Sequence, residues 1–189
     1  MRAESSSTLS SFQQFSLVAL RTLIGWHFLY EGIYKLRLPA WSPDGQPLPA
    51  WTAAGFIKAA SGPVGRLARS VVDAGYLPVI DRLIVFGVAG VGLLLILGLL
   101  TRTACVGALL LLALFYAMAV PTTGMPQPMA EGSYLLVNKT LVEGLAVLVL
   151  MSFDTGRIAG LDRLWRERRR SSSPVLAAES RTIQQGSTP

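Results

Sequence analysis

Four stretches of this chain are apolar over the length that a bilayer demands. A hydrocarbon core of about 30 Å takes roughly 20 helical residues. The first stretch runs from Phe15 to Leu36. The second, LIVFGVAGVGLLLILGLL, covers Leu83–Leu100, and the third, ACVGALLLLALFYAMAV, covers Ala104–Val120. The fourth, YLLVNKTLVEGLAVLVLMSF, covers Tyr134–Phe153. Only TRT separates the second from the third, so the two form a tight antiparallel hairpin. Pro121, Pro126 and Pro128 end the third stretch and mark a loop. GVAGVG in the second supplies small residues for close helix packing. The pattern predicts an all-α chain built as a four-helix transmembrane bundle.

The connection Arg37–Arg82 reads differently. PAWSPDGQPLPAW is a Pro-rich turn region that carries Trp41 and Trp51, and tryptophan prefers the membrane interface. TAAGFIKAASGPVGRLARSVVDAGYL follows, broken at Gly62–Pro63 and too polar to span. It predicts short interfacial helices over Thr52–Tyr76 that cover the outer mouth of the bundle. The expected organisation is a polar segment over 1–14, a membrane domain over 15–165 and a tail over 166–189. The tail is rich in Ser, Gln and Thr from Ser171 onward, which predicts disorder.

Composition sharpens this picture. Of 189 residues, 51% are hydrophobic and only 15% charged, where an ordinary soluble domain carries about 25%. Mean hydropathy is positive, as in an integral membrane protein. The formal charge is +6. In a lipid-soluble chain such a basic excess reports topology, not nucleic-acid binding. The segment DRLWRERRR lies just after the fourth stretch. Its Arg166, Arg168, Arg169 and Arg170 read as an anchor to anionic lipid.

Seven arginines follow from residue 157 onward, at 157, 163, 166, 168, 169, 170 and 181, while Pro121–Ser133 holds no Lys or Arg. With four spans, both termini are expected in the cytoplasm. The first connection carries Arg37, Lys58, Arg66, Arg69 and Arg82 beside Asp44, Asp73 and Asp81, but its length weakens the charge rule there. The N-terminal MRAESSSTLSSFQQF does not read as a cleaved signal peptide, so the first span is expected to stay attached. A lone cysteine, Cys105, excludes an intrachain disulfide, a CxxC pair and a cysteine metal cluster. It reads as a small buried hydrophobe.

The chemistry is expected where charges enter the apolar stretches. His27, Glu31 and Lys35 are spaced i, i+4, i+8, and with Arg21 they fall in one arc of about 120° on the helix. The fourth stretch carries Asn138, Lys139 and Glu143. An ionisable group near the bilayer centre costs about 2.5–3.5 kcal/mol, so such groups face the bundle interior and pair. Matched by depth, Glu31 is expected to face Lys139 and His27 to face Glu143, with Lys35 at the outer rim. One reading makes these groups a satisfied network that fixes helix register. The other makes them a pocket for a polar substrate, a quinone head group or a proton. Lys35 and Arg21 equally read as side chains that snorkel toward the two interfaces. No metal site is expected, since one histidine and one neighbouring carboxylate leave too few ligands. No phosphate-binding loop, nucleophile elbow or metalloprotease motif is present.

LRTLIGWHFLYEGIYKL, LILGLLTRTACVGALLLLALFYAMA, NKTLVEGLAVLVLMSF and DTGRIAGLDRL together resemble the DoxX/DoxD family of four-helix bacterial membrane proteins. The resemblance covers most of Leu20–Leu164. Its specific parts are Glu31, Gly32 and Lys35, the GLLTR turn, Glu143 and the closing Gly-Arg…Gly-Leu-Asp. It implies an inner-membrane protein similar to a subunit of a thiosulfate:quinone oxidoreductase. No covalently bound cofactor is implied. Quinone is the implied redox ligand, with a partner subunit or a periplasmic redox protein supplying the rest. The residues themselves leave a second class open: a non-enzymatic membrane protein, either a small-solute carrier or an assembly partner of a periplasmic protein.

Overall fold

The computed structural model describes residues 9–37, 50–60, 62–119, 133–134 and 137–171. Trp41 with its Pro-rich turn, nearly all of the base-free loop Pro121–Ser133 and the tail beyond Ser171 lie outside the described residues.

Helix α1 spans Ser11–Arg37. A reciprocal cap starts it: Ser10 N–H donates to the Gln13 side chain at 2.8 Å, and Gln13 N–H donates to Ser10 Oγ at 3.3 Å. Its 27 residues make it about 40 Å long. Two short helices follow, α2 (Ala54–Ala59) and α3 (Gly62–Val71). A π-turn over Val72–Tyr76, with Gly75 at φ +87°, joins α3 to α4 (Leu77–Leu97). α4 ends at Gly98 in the left-handed region, the usual conformation at a helix C-terminus. α5 (Thr101–Ala119) starts at once, so the expected tight hairpin is formed.

The fourth stretch differs from expectation. Its helix α6 covers Lys139–Ser152, starting at Lys139 where Tyr134 was expected. Ser133–Tyr134 and Val137–Asn138 pair instead as two-residue antiparallel strands, β1 and β2. Asn138 sets the start, because its side chain accepts from Leu141 N–H at 2.9 Å and caps the helix. A 3₁₀ turn at Thr155–Arg157 leads to α7 (Leu161–Ser171), which carries the arginine-rich run.

α1 lies along α4, α4 against α5 and α5 against α6, while α1 and α6 meet over a shorter stretch. The closest approach is between α1 and α4. A Cβ added to Gly92 would sit 2.3 Å from Leu29 N and 2.7 Å from Gly25 O, and one added to Gly32 would sit 2.7 Å from Ala89 N. Of GVAGVG, therefore, Ala89 and Gly92 make the contact, while Gly87 and Gly90 face open space. Phe28, Val88, Leu95, Ala108, Val147 and Leu150 fill the core.

The outer surface is apolar: Leu23, Leu83, Phe86, Leu110, Val142 and Leu145 are all exposed. Exposed apolar side chains in this number fit a surface that contacts lipid or another protein. Two helical stretches, Gly62–Leu97 and Thr101–Met118, are long and apolar enough to cross a membrane. α1 is long enough but not apolar enough to meet that measure, and α6 is too short.

The two ends of the bundle differ. The α4–α5 and α6–α7 turns close one end. There Arg21 is 3% exposed and donates to the Thr155 carbonyl at 2.9 Å, so it is buried and does not snorkel. Asp162 accepts from Leu100 N–H at 2.7 Å and Thr101 N–H at 2.9 Å, which caps α5 from a distant part of the chain. Gly98 and Gly160 touch backbone to backbone. Asp154 pairs with both Arg102 and Arg157. The other end, where α1 stops and α6 starts, is the open end.

Candidate intramembrane site

A cavity of about 620 Å³ occupies the open end of the bundle. It lies within the size range of small-molecule sites. α1 contributes His27, Phe28, Glu31 and Lys35; α6 contributes Lys139, Thr140 and Glu143. Trp51, Ala53, Phe56, Ile84, Val88, Leu112 and Phe115 complete the wall. Five ionisable side chains from two helices thus meet in an otherwise apolar chamber.

Helical spacing explains the α1 side, since residues four apart share a face. The α6 side depends on the Asn138 cap, which starts the helix so that Lys139, Thr140 and Glu143 fall in its first turns. The expected partnership of His27 with Glu143 is present, Nε2 to Oε1 at 3.8 Å. That of Glu31 with Lys139 is replaced. Glu31 forms its ion pair with Lys35, one turn along the same helix. Lys139 shares the cavity and lies within electrostatic range of both carboxylates. The local pair wins because i, i+4 geometry brings the two heads together without moving a helix. Lys35 also lies over the Trp51 ring, 5.5 Å from its centroid, so it is tied into the chamber and does not reach freely to the interface.

Asn138 is not among the lining residues, since its side chain is spent on the helix cap. Arg166, Arg168, Arg169 and Arg170 lie on α7, at the closed end and apart from the cavity. Cys105 is fully buried and does not reach the cavity.

Sequence reasoning missed part of the wall. Trp51, Ala53 and Phe56 come from the segment expected only to cover the mouth, and they line the chamber itself. Ala53 is 1% exposed, and its N–H donates to Asp81 at the start of α4 at 2.7 Å. Phe56 packs edge-on against Phe115 of α5, centroids 6.2 Å apart. The available signal was an acid, Asp81, placed beside the first turn of an apolar helix, where it favours a backbone donor. Phe115 and Thr140 lie on apolar or neutral positions that carry no such signal.

Chemically, the arrangement offers ammonium and imidazole donors, carboxylate acceptors and flat aromatic walls in one place. It suits a planar ligand with polar edges that exchanges protons. Nothing among curated proteins and nothing among solved structures matches the chain. One family model does, over residues 16–172, from the first turns of α1 to the end of α7. The glycine contacts, the cavity charges and the Asp162 cap all fall inside that match, and the chain belongs to the DoxD family, described as TQO small subunit DoxD.

Proposed function

We propose that this chain is the membrane subunit of a quinone-linked oxidoreductase and that its cavity takes the quinone head group. The observation that carries the reading is the meeting of His27, Glu31, Lys35, Lys139 and Glu143 in one aromatic-walled chamber. The family description, a TQO small subunit, supports the same reaction class. Reducing a quinone to a quinol takes two electrons and two protons. Lys139 and His27 are placed to donate hydrogen bonds to the ring oxygens, which favours the charge that develops there. The His27–Glu143 pair is placed to pass protons, and Trp51, Phe56 and Phe115 offer faces for the ring. The electrons come from a sulfur compound such as thiosulfate, oxidised on a partner subunit or periplasmic redox protein.

In this reading α1, α4 and α5 cross the inner membrane, and the shorter α6 crosses together with the segments that flank it, with the open end facing outward. α1 and α6 cross because the bundle shields their polar faces. The arginines of α7 hold the closed end on the cytoplasmic side, against anionic lipid.

The test uses the full chain, purified with its native partners in nanodiscs. Thiosulfate is added and reduction of a short-tailed benzoquinone is followed by absorbance. Reduction that depends on this chain and is lost in Glu143→Gln is expected. Solute movement in proteoliposomes without any electron acceptor, together with no quinone binding, would overturn the reading in favour of a carrier.

A further inference from the structure

We infer that the cavity is loaded sideways from the membrane, through the seam between α1 and α6, and not from the water beyond the open end. The inference rests on the reading of the cavity as a quinone site and adds the route and its selectivity.

Two walls of the cavity decide this. The wall toward the open end is held at three points among the described residues. Asp81 fixes the Ala53 backbone, Phe56 packs edge-on to Phe115, and Trp51 lies under Lys35. Ala53 and Ile57 are nearly without exposure. The wall between α1 and α6 is the opposite case. These helices share the shortest of the long-helix interfaces. The side chains of His27 and Glu31, on the α1 side of this seam, are 37% and 42% exposed, against 14% for Glu143. Among the described residues, the wall toward the open end is tied down by these contacts, and the α1–α6 seam has no comparable set of ties.

The lip of this opening has its own chemistry. Trp26, Tyr30 and Tyr34 each immediately precede a member of the polar stripe His27, Glu31 and Lys35. They stand one step around the same helix, outside the cavity. Trp26 and Tyr30 lie 6.5 Å apart, and Tyr30 and Tyr34 are stacked at 6.2 Å with planes 14° apart. Trp26 is 59% and Tyr30 48% exposed. A ladder of flat rings thus runs along the lipid-facing edge and ends at the charges. Ionised groups that open onto hydrocarbon are disfavoured. The seam is therefore most stable when an amphiphile brings a polar head to the charges and leaves an apolar tail among the acyl chains. A quinone with an alkyl tail has this form. A small sulfur oxyanion does not, and it has no route through the lipid. The soluble donor and the quinone therefore use different faces of the assembly.

The experiment uses the full chain in nanodiscs and a ring-azido benzoquinone with a decyl tail as photoprobe. Tyr30→Cys is alkylated with a bulky maleimide in detergent before reconstitution, and Cys105 is too buried to react. Phe86→Cys, on the exposed face of α4, is treated alike as control. The expected result is probe attached to cavity peptides in the unmodified chain and in the α4 control, and lost when position 30 is blocked. Cavity labelling that survives the block, but rises when Phe56→Ala opens the other wall, overturns the lateral route and leaves the quinone site standing. No cavity labelling in any form overturns the quinone site itself. A second polypeptide cross-linked to position 30 in native membranes overturns the route as well and makes the seam a subunit contact.

Discussion

His27 Nε2 lies 3.8 Å from Glu143 Oε1, a polar pair that reaches from α1 to α6 across the cavity. Under the proposed function, proton transfer in the chamber centres on this pair. Glu143→Gln keeps the shape and a hydrogen-bonding head but removes the ionisable group. The variant is expected to fold with little change in thermal midpoint and to lose turnover by about 10²–10⁴-fold, the range for a lost general acid or base. Quinol formation and a melting curve on the same sample measure both. A large drop in midpoint with turnover per folded molecule unchanged would make the pair purely structural.

The α1–α4 contact gives a stability test with an internal control. Gly92→Ala drives a methyl group into the α1 backbone, 2.3 Å from Leu29 N. Overpacking of this kind costs about 1–3 kcal/mol. Gly90→Ala, half a turn away, meets nothing within 4 Å and is expected to be neutral or stabilising by about 0.4–1 kcal/mol. Unfolding in mixed detergent micelles should rank the two on opposite sides of the parent.

At the closed end, Asp162→Ala removes the acceptor for the first N–H groups of α5 and is expected to cost about 0.5–2 kcal/mol. Asp162→Asn keeps an acceptor and should retain most of that stability. Equal losses in the two variants would show that the negative charge facing Arg21, and not the cap, is what matters.

Orientation is read from reporters. One fused after Trp165 should act as cytoplasmic and one placed at Gly124 as external. The reverse pattern would invert the membrane assignment of both ends of the bundle.

The helices were largely legible because apolar length and helical period are written in single residues. The α1 polar stripe, the α4–α5 hairpin and the His27–Glu143 partnership all follow from spacing and depth. Other features depend on contacts between distant segments, which spacing does not report. Depth alone matches Glu31 to Lys139, yet Lys35 is nearer along its own helix. Apolar length alone puts the start of α6 too early, because Tyr134–Val137 is as apolar as the helix that follows. Arg21 looks like a terminal snorkelling residue until Thr155 and Gly98 close around it. The family-like GLLTR and GRIAGLD segments have a physical reason that no local pattern reveals: Asp162 of one caps the helix that begins in the other.

The backbone contact of Gly25 and Gly92 has a further consequence for how the chamber changes size. At that point α1 and α4 meet backbone to backbone, which resists sliding of one helix on the other. α5 and α6 form the second well-packed pair. These two pairs are joined along the α4–α5 interface and at the closed end by the Arg21–Thr155 and Asp162 contacts. Among the described residues, the thinner contact is at the far edge, where His27 faces Glu143. Side-chain volume at that edge, not within the two pairs, sets how bulky a ring the protein admits.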